Sequence, residues 1–237
     1  MTDMLRGWRI LLVGGSGGIG AAVAQALLAE GVDELITAPS VPQARADRLR
    51  TEHVDLSNLA SVEALAQRLA DVPLNAVINC AGVNGNRRLF EGDWVARVRR
   101  EMEVNYFGML NLAAAFGPAL AARPGGRFMT LLSFLSHVNL PAMASYCASK
   151  AAAHSVLQAL RAEWAAAGVT VCGVYPTAVD TSMSKGLTGT KQSPQELARE
   201  MVQALVDGKE TLYPGEAAGA IRGYLADPLH MQLRMLG

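Results

Sequence analysis

Seven residues, Gly14 to Gly20 (GGSGGIG), constrain this chain more than any others. An apolar run, residues 8–13, precedes them, and an alanine-rich run, residues 21–31 (AAVAQALLAEG), follows. The pattern reads as strand, tight turn and helix, with Gly31 as the helix stop. Glycines let the backbone approach a pyrophosphate, and a helix N-terminus offers amide N–H groups and positive dipole. Two registers fit: Gly15-x-Gly17-x-x-Gly20, the general dinucleotide fingerprint, and Gly14-x-x-x-Gly18-x-Gly20, a wider-spaced variant. A lone glycine pattern is a modest signal. At the first strand–helix junction it outweighs the alternative of a flexible turn.

Behind this loop, strand-like and helix-like stretches alternate. Residues 33–38 (DELITA) read as a second strand and 52–55 as a brief third. Ser57 or Asn58 caps a helix through Ala70. Residues 75–79 (NAVIN) form a buried strand, 94–122 a long helical stretch, and 127–133 a strand. A helix over 145–168 and a strand over 170–175 follow. Such alternation predicts an α/β fold: one Rossmann-like, doubly wound parallel sheet of about seven strands with helices on both faces. No repeat or linker divides the chain, so a single domain, 1–237, is expected, with a substrate loop at about 182–200.

Composition removes several classes of function. Lys+Arg and Asp+Glu are both 21, giving zero formal net charge and no footprint for nucleic acid or an anionic membrane. The four histidines have no metal-ligand spacing, so no metal is expected. Cys80, Cys147 and Cys172 are odd in number and lie in apolar or small-residue settings. They read as reduced thiols of a cytoplasmic protein. Arg9 interrupts any early signal-peptide pattern, and no apolar run is long enough to span a bilayer.

The chemistry concentrates in SFLSHVNLPAMASYCASK, residues 133–150. Ser133 ends an apolar strand; Tyr146 and Lys150 sit four apart near the start of a helical run. That spacing puts phenol and ammonium on one helix face. A nearby cation favours ionisation of a phenol that normally titrates near pH ~10. Such a phenol trades protons, and the Ser133 hydroxyl can hydrogen-bond an oxygen that gains charge. Tyr-x-x-x-Lys alone arises readily by chance; its weight comes from the glycine loop and the alternation. Two further residues have open readings. Asp55 either bonds the adenine amine or shapes a turn. Asn105, a polar amide among Val104, Tyr106 and Phe107, is a site residue or a helix-bending amide. The second strand ends in Ala38-Pro39-Ser40, without the acid that would hold an NAD ribose. With Ser40 and Arg45 nearby, this leans toward NADP over NAD.

With these pieces in order, the sequence resembles the short-chain dehydrogenase/reductase family over nearly its whole length. Gly14, Gly18 and Gly20 match the family's cofactor loop, and Asp55 its adenine-contacting acid. Asn79-Cys80-Ala81-Gly82 is similar to its Asn-Asn-Ala-Gly, and residues 175–181 (YPTAVDT) to its Pro-Gly turn and nicotinamide-contacting Thr. Asn105, Ser133, Tyr146 and Lys150 fall on its four catalytic positions. The resemblance implies cofactor contacts from Gly14, Ser16, Gly18, Ile19, Gly20, Ser40, Asp55, Leu56, Asn79, Ala81, Gly82, Tyr146, Lys150, Pro176, Val179 and Thr181. Val13, Cys80 and Thr177 depart from the family pattern, and none removes a reacting group.

The implied activity is NAD(P)-dependent hydride transfer to or from a carbonyl or secondary alcohol. Tyr146 would protonate the forming alkoxide, Ser133 stabilise it, Lys150 lower the tyrosine pKa, and Asn105 help hold a water. The expected rim of Phe134, Leu135, Val138, Leu140, Met143, Thr177, Met183 and Leu187 is mostly apolar and favours a hydrophobic ketone, the substrate of a carbonyl reductase. The expected partners are that small molecule and further copies of the chain, as a homodimer or other homo-oligomer. Two alternatives remain: an epimerase or dehydratase that retains its cofactor, and a non-catalytic dinucleotide sensor.

Overall fold

The computed structural model describes residues 3–38 and 47–226. Seven strands form one sheet: β1 (Arg9–Val13), β2 (Glu34–Ala38), β3 (Leu49–Thr51), β4 (Ala76–Asn79), β5 (Arg127–Leu131), β6 (Thr170–Val174) and β7 (Thr211–Leu212). Their spatial order is β3-β2-β1-β4-β5-β6-β7, and every pairing is parallel. β1, β2, β4, β5 and β6 are almost wholly buried, so they read as short apolar runs rather than alternating ones.

Burial on both sides needs two layers of helix. Helices α1 (Gly18–Ala29) and α6 (Pro194–Val206) pack on one face, where Val23, Leu27, Leu197 and Met201 meet Ile10, Leu12 and Val174. The other face carries α2 (Leu59–Arg68), α3 (Trp94–Met102), α4 (Gly108–Ala121), α5 (Ala144–Trp164) and α7 (Ala217–Ala226). There Leu65, Leu112, Phe116, Leu157 and Ile221 close over Leu11, Val77, Phe128 and Val171. This is the doubly wound arrangement the alternation predicts.

Several boundaries differ from the sequence expectation. The third strand is Leu49–Thr51 rather than 52–55, because the edge pairs Leu35 with Leu49 and Thr37 with Thr51. The long helical stretch 94–122 is interrupted by a π-helical turn, Glu103–Phe107, between α3 and α4. The stretch 182–200 begins with a 3-10 turn, Ser182–Ser184, and is helical from Pro194. Ser193 starts that helix with a capping box: its hydroxyl accepts from Glu196 N, and Glu196 reaches back to Ser193 N.

The strand order reverses beside β1: one half of the sheet runs outward through β2, the other through β4. In open parallel sheets the crevice beyond the strand C-termini at such a switch point receives ligands. Val13 and Asn79 end β1 and β4 side by side there.

Candidate active site

The crevice is built first by a close approach of two backbones. Gly14 has φ +81°, and any Cβ on it would collide with the Cys80–Ala81 backbone. Cys80 N–H donates to Val13 O at 2.8 Å and Gly17 N–H to Gly14 O at 3.1 Å, which fixes the turn. Asn79 Oδ1 accepts from Ala81 N at 3.1 Å, while its Nδ2 reaches Thr130 Oγ1 at 3.4 Å. The C-terminal ends of β1, β4 and β5 are thereby tied together.

Above this turn stands the N-terminus of α1. Its N-cap, Gly17, supplies no side-chain cap, and no acid lies in the first turn. The leading amides and the positive dipole end therefore stay available to an anion. Ser16, Gly17 and Gly18 are exposed, Ile19 is half-buried and Gly20 is buried. Thr181 comes from beyond β6 to cover Gly18; a Cβ there would lie 2.8 Å from Thr181 Cγ2. This uncapped, side-chain-free cradle fits the pyrophosphate of a dinucleotide.

At the adenine end, Asp55 forms a turn and keeps an exposed carboxylate. Oδ1 accepts from Ser57 N at 3.0 Å and Ser57 Oγ at 2.6 Å, and these bonds hold the carboxyl below the usual range. The turn-shaping reading of Asp55 is the one these bonds describe, and its carboxylate remains exposed. Leu56 buries its side chain beneath Gly108, and its carbonyl accepts from Asn111 Nδ2 at 2.9 Å. Ser40 and Arg45 lie outside the described residues.

The reacting end is buried. Ser133, at the end of the strand β5 run, has extended backbone (φ −162°, ψ 154°) and starts a 3-10 turn, Phe134–Ser136. Its Oγ accepts from Leu135 N at 3.1 Å and meets the Tyr146 phenol. Phe134 N–H donates to Pro176 O at 2.8 Å, joining this turn to the segment after β6. Lys150 Nζ, 5.9 Å from the Tyr146 ring centroid, donates to Leu131 O at 2.8 Å. A Cβ on Gly82 would lie 3.3 Å from both Lys150 Nζ and Asn105 Oδ1, so only glycine leaves that corner open.

Burial sets the protonation of this group. It pushes the Tyr146 phenol up to about 12, although the Ser133 hydrogen bond opposes the rise. It lowers the Lys150 ammonium to about 8, against a small opposing pull from Cys80. The sequence expectation that Lys150 lowers the phenol is not what sets its protonation here: desolvation dominates, and the Lys150 ammonium donates a hydrogen bond to Leu131 O. The phenol is held neutral, as a proton donor must be.

Asn105 sits in the π-helical turn, a feature frequent at functional sites. Its Oδ1 accepts from Val83 N at 2.8 Å; its Nδ2 donates to Val83 O at 2.9 Å and to Ser149 Oγ at 2.9 Å. The amide thus clamps the strand that leaves β4 against α5. Both side-chain atoms thus have protein partners, and Oδ1 also borders the open corner at Gly82.

Past β6, Val179 bridges Gln192, and Asp180 N–H donates to Gln192 O at 2.9 Å. This closes the base of the loop carrying Met183 and Leu187, both exposed. Sequence reasoning missed the polar groups on the facing wall. Asn84 Nδ2 lies 3.2 Å from Met143 Sδ, and Asn86 Nδ2 donates to Met183 O at 3.0 Å. The repeated Asn in residues 84–86 (NGN), one residue past Ala81-Gly82, was the available signal.

Comparisons with known proteins agree with this geometry. A family model described as short chain dehydrogenase matches residues 9–192. The chain is 30% identical over 224 residues to the uncharacterized oxidoreductase DltE of Bacillus subtilis, covering 86% of each. It is 33% identical over 185 residues to the galactitol 2-dehydrogenase (L-tagatose-forming) of Cereibacter sphaeroides, covering 73% of this chain and 72% of the relative. Against the uncharacterized oxidoreductase Mb1570 of Mycobacterium bovis, 30% identical, it spans 64% of the relative's length. A crystal structure of a short chain dehydrogenase from Burkholderia cenocepacia in complex with NADP superposes with TM-score 0.90 at 33% identity over 100% of both chains. The fold, the crevice and these likenesses converge: the chain belongs to the short-chain dehydrogenase/reductase family of oxidoreductases.

Proposed function

We propose that the protein is an NADP-dependent oxidoreductase that interconverts a ketone and a secondary alcohol, with Tyr146 as the proton-transferring group. The observation that carries this reading is the buried contact between the Tyr146 phenol and Ser133, with Lys150 beside it, at the sheet edge that also presents the uncapped α1 N-terminus.

Gly14, Ser16, Gly18, Ile19 and Gly20 receive the pyrophosphate on backbone amides. Asp55 and Leu56 would flank the adenine, and Asn79, Ala81 and Gly82 would floor its crevice. Pro176, Val179 and Thr181 would line its nicotinamide end, and Lys150 would hold the ribose. When bound, the dinucleotide supplies hydride in reduction and takes it in oxidation. Ser133 Oγ donates a hydrogen bond to the substrate oxygen as charge develops on it. Tyr146 then gives its proton to that oxygen, breaking its own O–H bond. Asn105 keeps Val83 and α5 in register so that Gly82 and Lys150 face this point. The NADP complex of the Burkholderia cenocepacia relative supports the choice of NADP.

For the substrate we favour a hydrophobic ketone, since Met143 is buried against Tyr146 with Leu135 and Leu140 packed on them, and Met183 and Leu187 are exposed on the loop after β6. A second reading, a polyol or hydroxyketone, is favoured by the Asn84 and Asn86 amides on the opposite wall. The galactitol 2-dehydrogenase relative points the same way. NADPH oxidation across matched panels of alkyl ketones and polyhydroxy ketones separates the two; no oxidation with either panel refutes the activity.

We further propose one domain with loop 182–193 closing over the substrate, assembly as a homo-oligomer, and a cytoplasmic setting. The exposed Leu59, Val95 and Phe107 support assembly, and the three free thiols support a reducing compartment. Among the described residues no helix is long and apolar enough to cross a membrane.

A further inference from the structure

Glu101 is the one buried residue of α3, and it is a carboxylate at 2% exposure. Its Oε1 accepts from Gly85 N at 2.8 Å. Among the described residues nothing donates to its Oε2. Arg97, one turn earlier on α3, lies beside it around Gly85 but makes no direct ion pair with it among the described residues. Its guanidinium is spent on the carbonyls of Arg88, Leu89 and Glu91, and its Nε is itself buried without a partner.

The position of this acid is informative. Asn105, one turn further along the same helical stretch, bonds Ser149 on α5, so Glu101 faces the preceding turn of α5, which carries Tyr146. Gly85 follows Asn84, whose amide touches Met143, and Met143 clusters with Tyr146 and Cys147. Glu101 opposes ionisation of both the Tyr146 phenol and the Cys147 thiol. The groups around the phenol are therefore Ser133 on its turn, Lys150 and Cys147 on α5, and Glu101 on α3; Cys80, beyond β4, faces Lys150. An acid buried this way is costly unless paired, and a hydrophobic residue would pack the same gap.

We infer that Glu101 is a positioning residue for the proton donor: its buried carboxylate, anchored to the Gly85 N–H on the α3 turn that faces the Tyr146 turn of α5, helps keep that phenol in its neutral form. This rests on the proposed role of Tyr146. It also states what Glu101 adds, a bias toward the reductive direction, in which a neutral phenol is needed at the start.

The test is titration of the phenol itself. The tyrosinate absorbance of the protein minus that of its Tyr146→Phe variant isolates this group and needs no turnover. Glu101→Gln keeps an oxygen for Gly85 N–H and removes the charge. Its Tyr146 should titrate about one pH unit lower, the size expected for a unit charge roughly 10 Å away at an effective dielectric near 20. Glu101→Met, which loses the Gly85 bond as well, should shift the phenol the same way. The alkaline limb of kcat/KM for ketone reduction by NADPH should move down with it. A Glu101→Gln phenol that titrates as in the wild type, or a shift seen with Met alone, overturns the inference. A phenol that shifts while no ketone is turned over leaves the electrostatic role standing and removes the reading of the reaction.

Discussion

Replacing Asn105 by Ala removes three hydrogen bonds at once: two to the Val83 backbone and one to Ser149 Oγ. The Ser149 hydroxyl keeps its own bond to Tyr146 O at 2.7 Å, so its loss is small. Val83 is half-buried, so water can reach part of what the amide leaves behind. We therefore take the low end of the cost of a stranded polar group, about 1 kcal/mol for each Val83 group and about 2 kcal/mol in all. For a chain of this size that lowers Tm by roughly 4–8 °C. Differential scanning calorimetry of wild type and Asn105→Ala reads this directly. Asn105→Asp keeps one acceptor for Val83 N–H but faces Val83 O without a donor, so it should not recover the loss. A fall of less than about 1 °C for the alanine variant would refute the view of this amide as the clamp between Val83 and α5.

Gly14→Ala should abolish NADPH binding, measured by fluorescence titration, because a Cβ at φ +81° collides with the Ala81 backbone; retained affinity would contradict the described crevice. His137 and His154 face each other at 4.6 Å between ring centroids, and burial first, then a neighbouring positive charge, holds both below the ordinary imidazole range. The unfolded chain therefore takes up protons first. The stability they confer is full above the unfolded value near ~6.5 and drains as pH falls below it toward the folded values. Urea midpoints between pH 7.5 and 5.5 should fall less steeply in His137→Phe/His154→Phe than in the wild type; equal slopes would contradict the burial described. Ser193→Ala, which opens the α6 capping box, should cost about 1 kcal/mol in urea unfolding without changing NADPH affinity.

The glycine run and the apolar strands were legible because each feature is local: a turn needing positive φ at Gly14, and strands buried on both faces. β3 was not legible at its true place. Leu49–Thr51 is a three-residue edge strand with little burial, defined by pairing with β2 rather than by its own pattern. Helix α6 did carry a plain start signal in Ser193-Pro194-Gln195-Glu196. The π-helical turn carries none, since its five residues have no distinctive composition and are too few for their phase shift to show as a period; the Val83 and Ser149 partners of Asn105 lie 22 and 44 residues away. Ser133, Tyr146 and Lys150 were found as a pattern, but their protonation was misjudged. Spacing reveals the cation beside the phenol and not the burial that raises it. Glu101 stands among Arg97, Arg99, Arg100 and Glu103, where an acid reads as solvated; only the Gly85 loop, 16 residues away, buries it.

The central claim is that the Tyr146 phenol passes the proton while hydride moves. It is tested most directly by single-turnover oxidation of bound NADPH, with a ketone that the wild type reduces, in the Tyr146→Phe variant. The account predicts NADPH affinity within a few-fold of wild type and a rate lower by about 10²–10⁴. A rate near that of the wild type would contradict it.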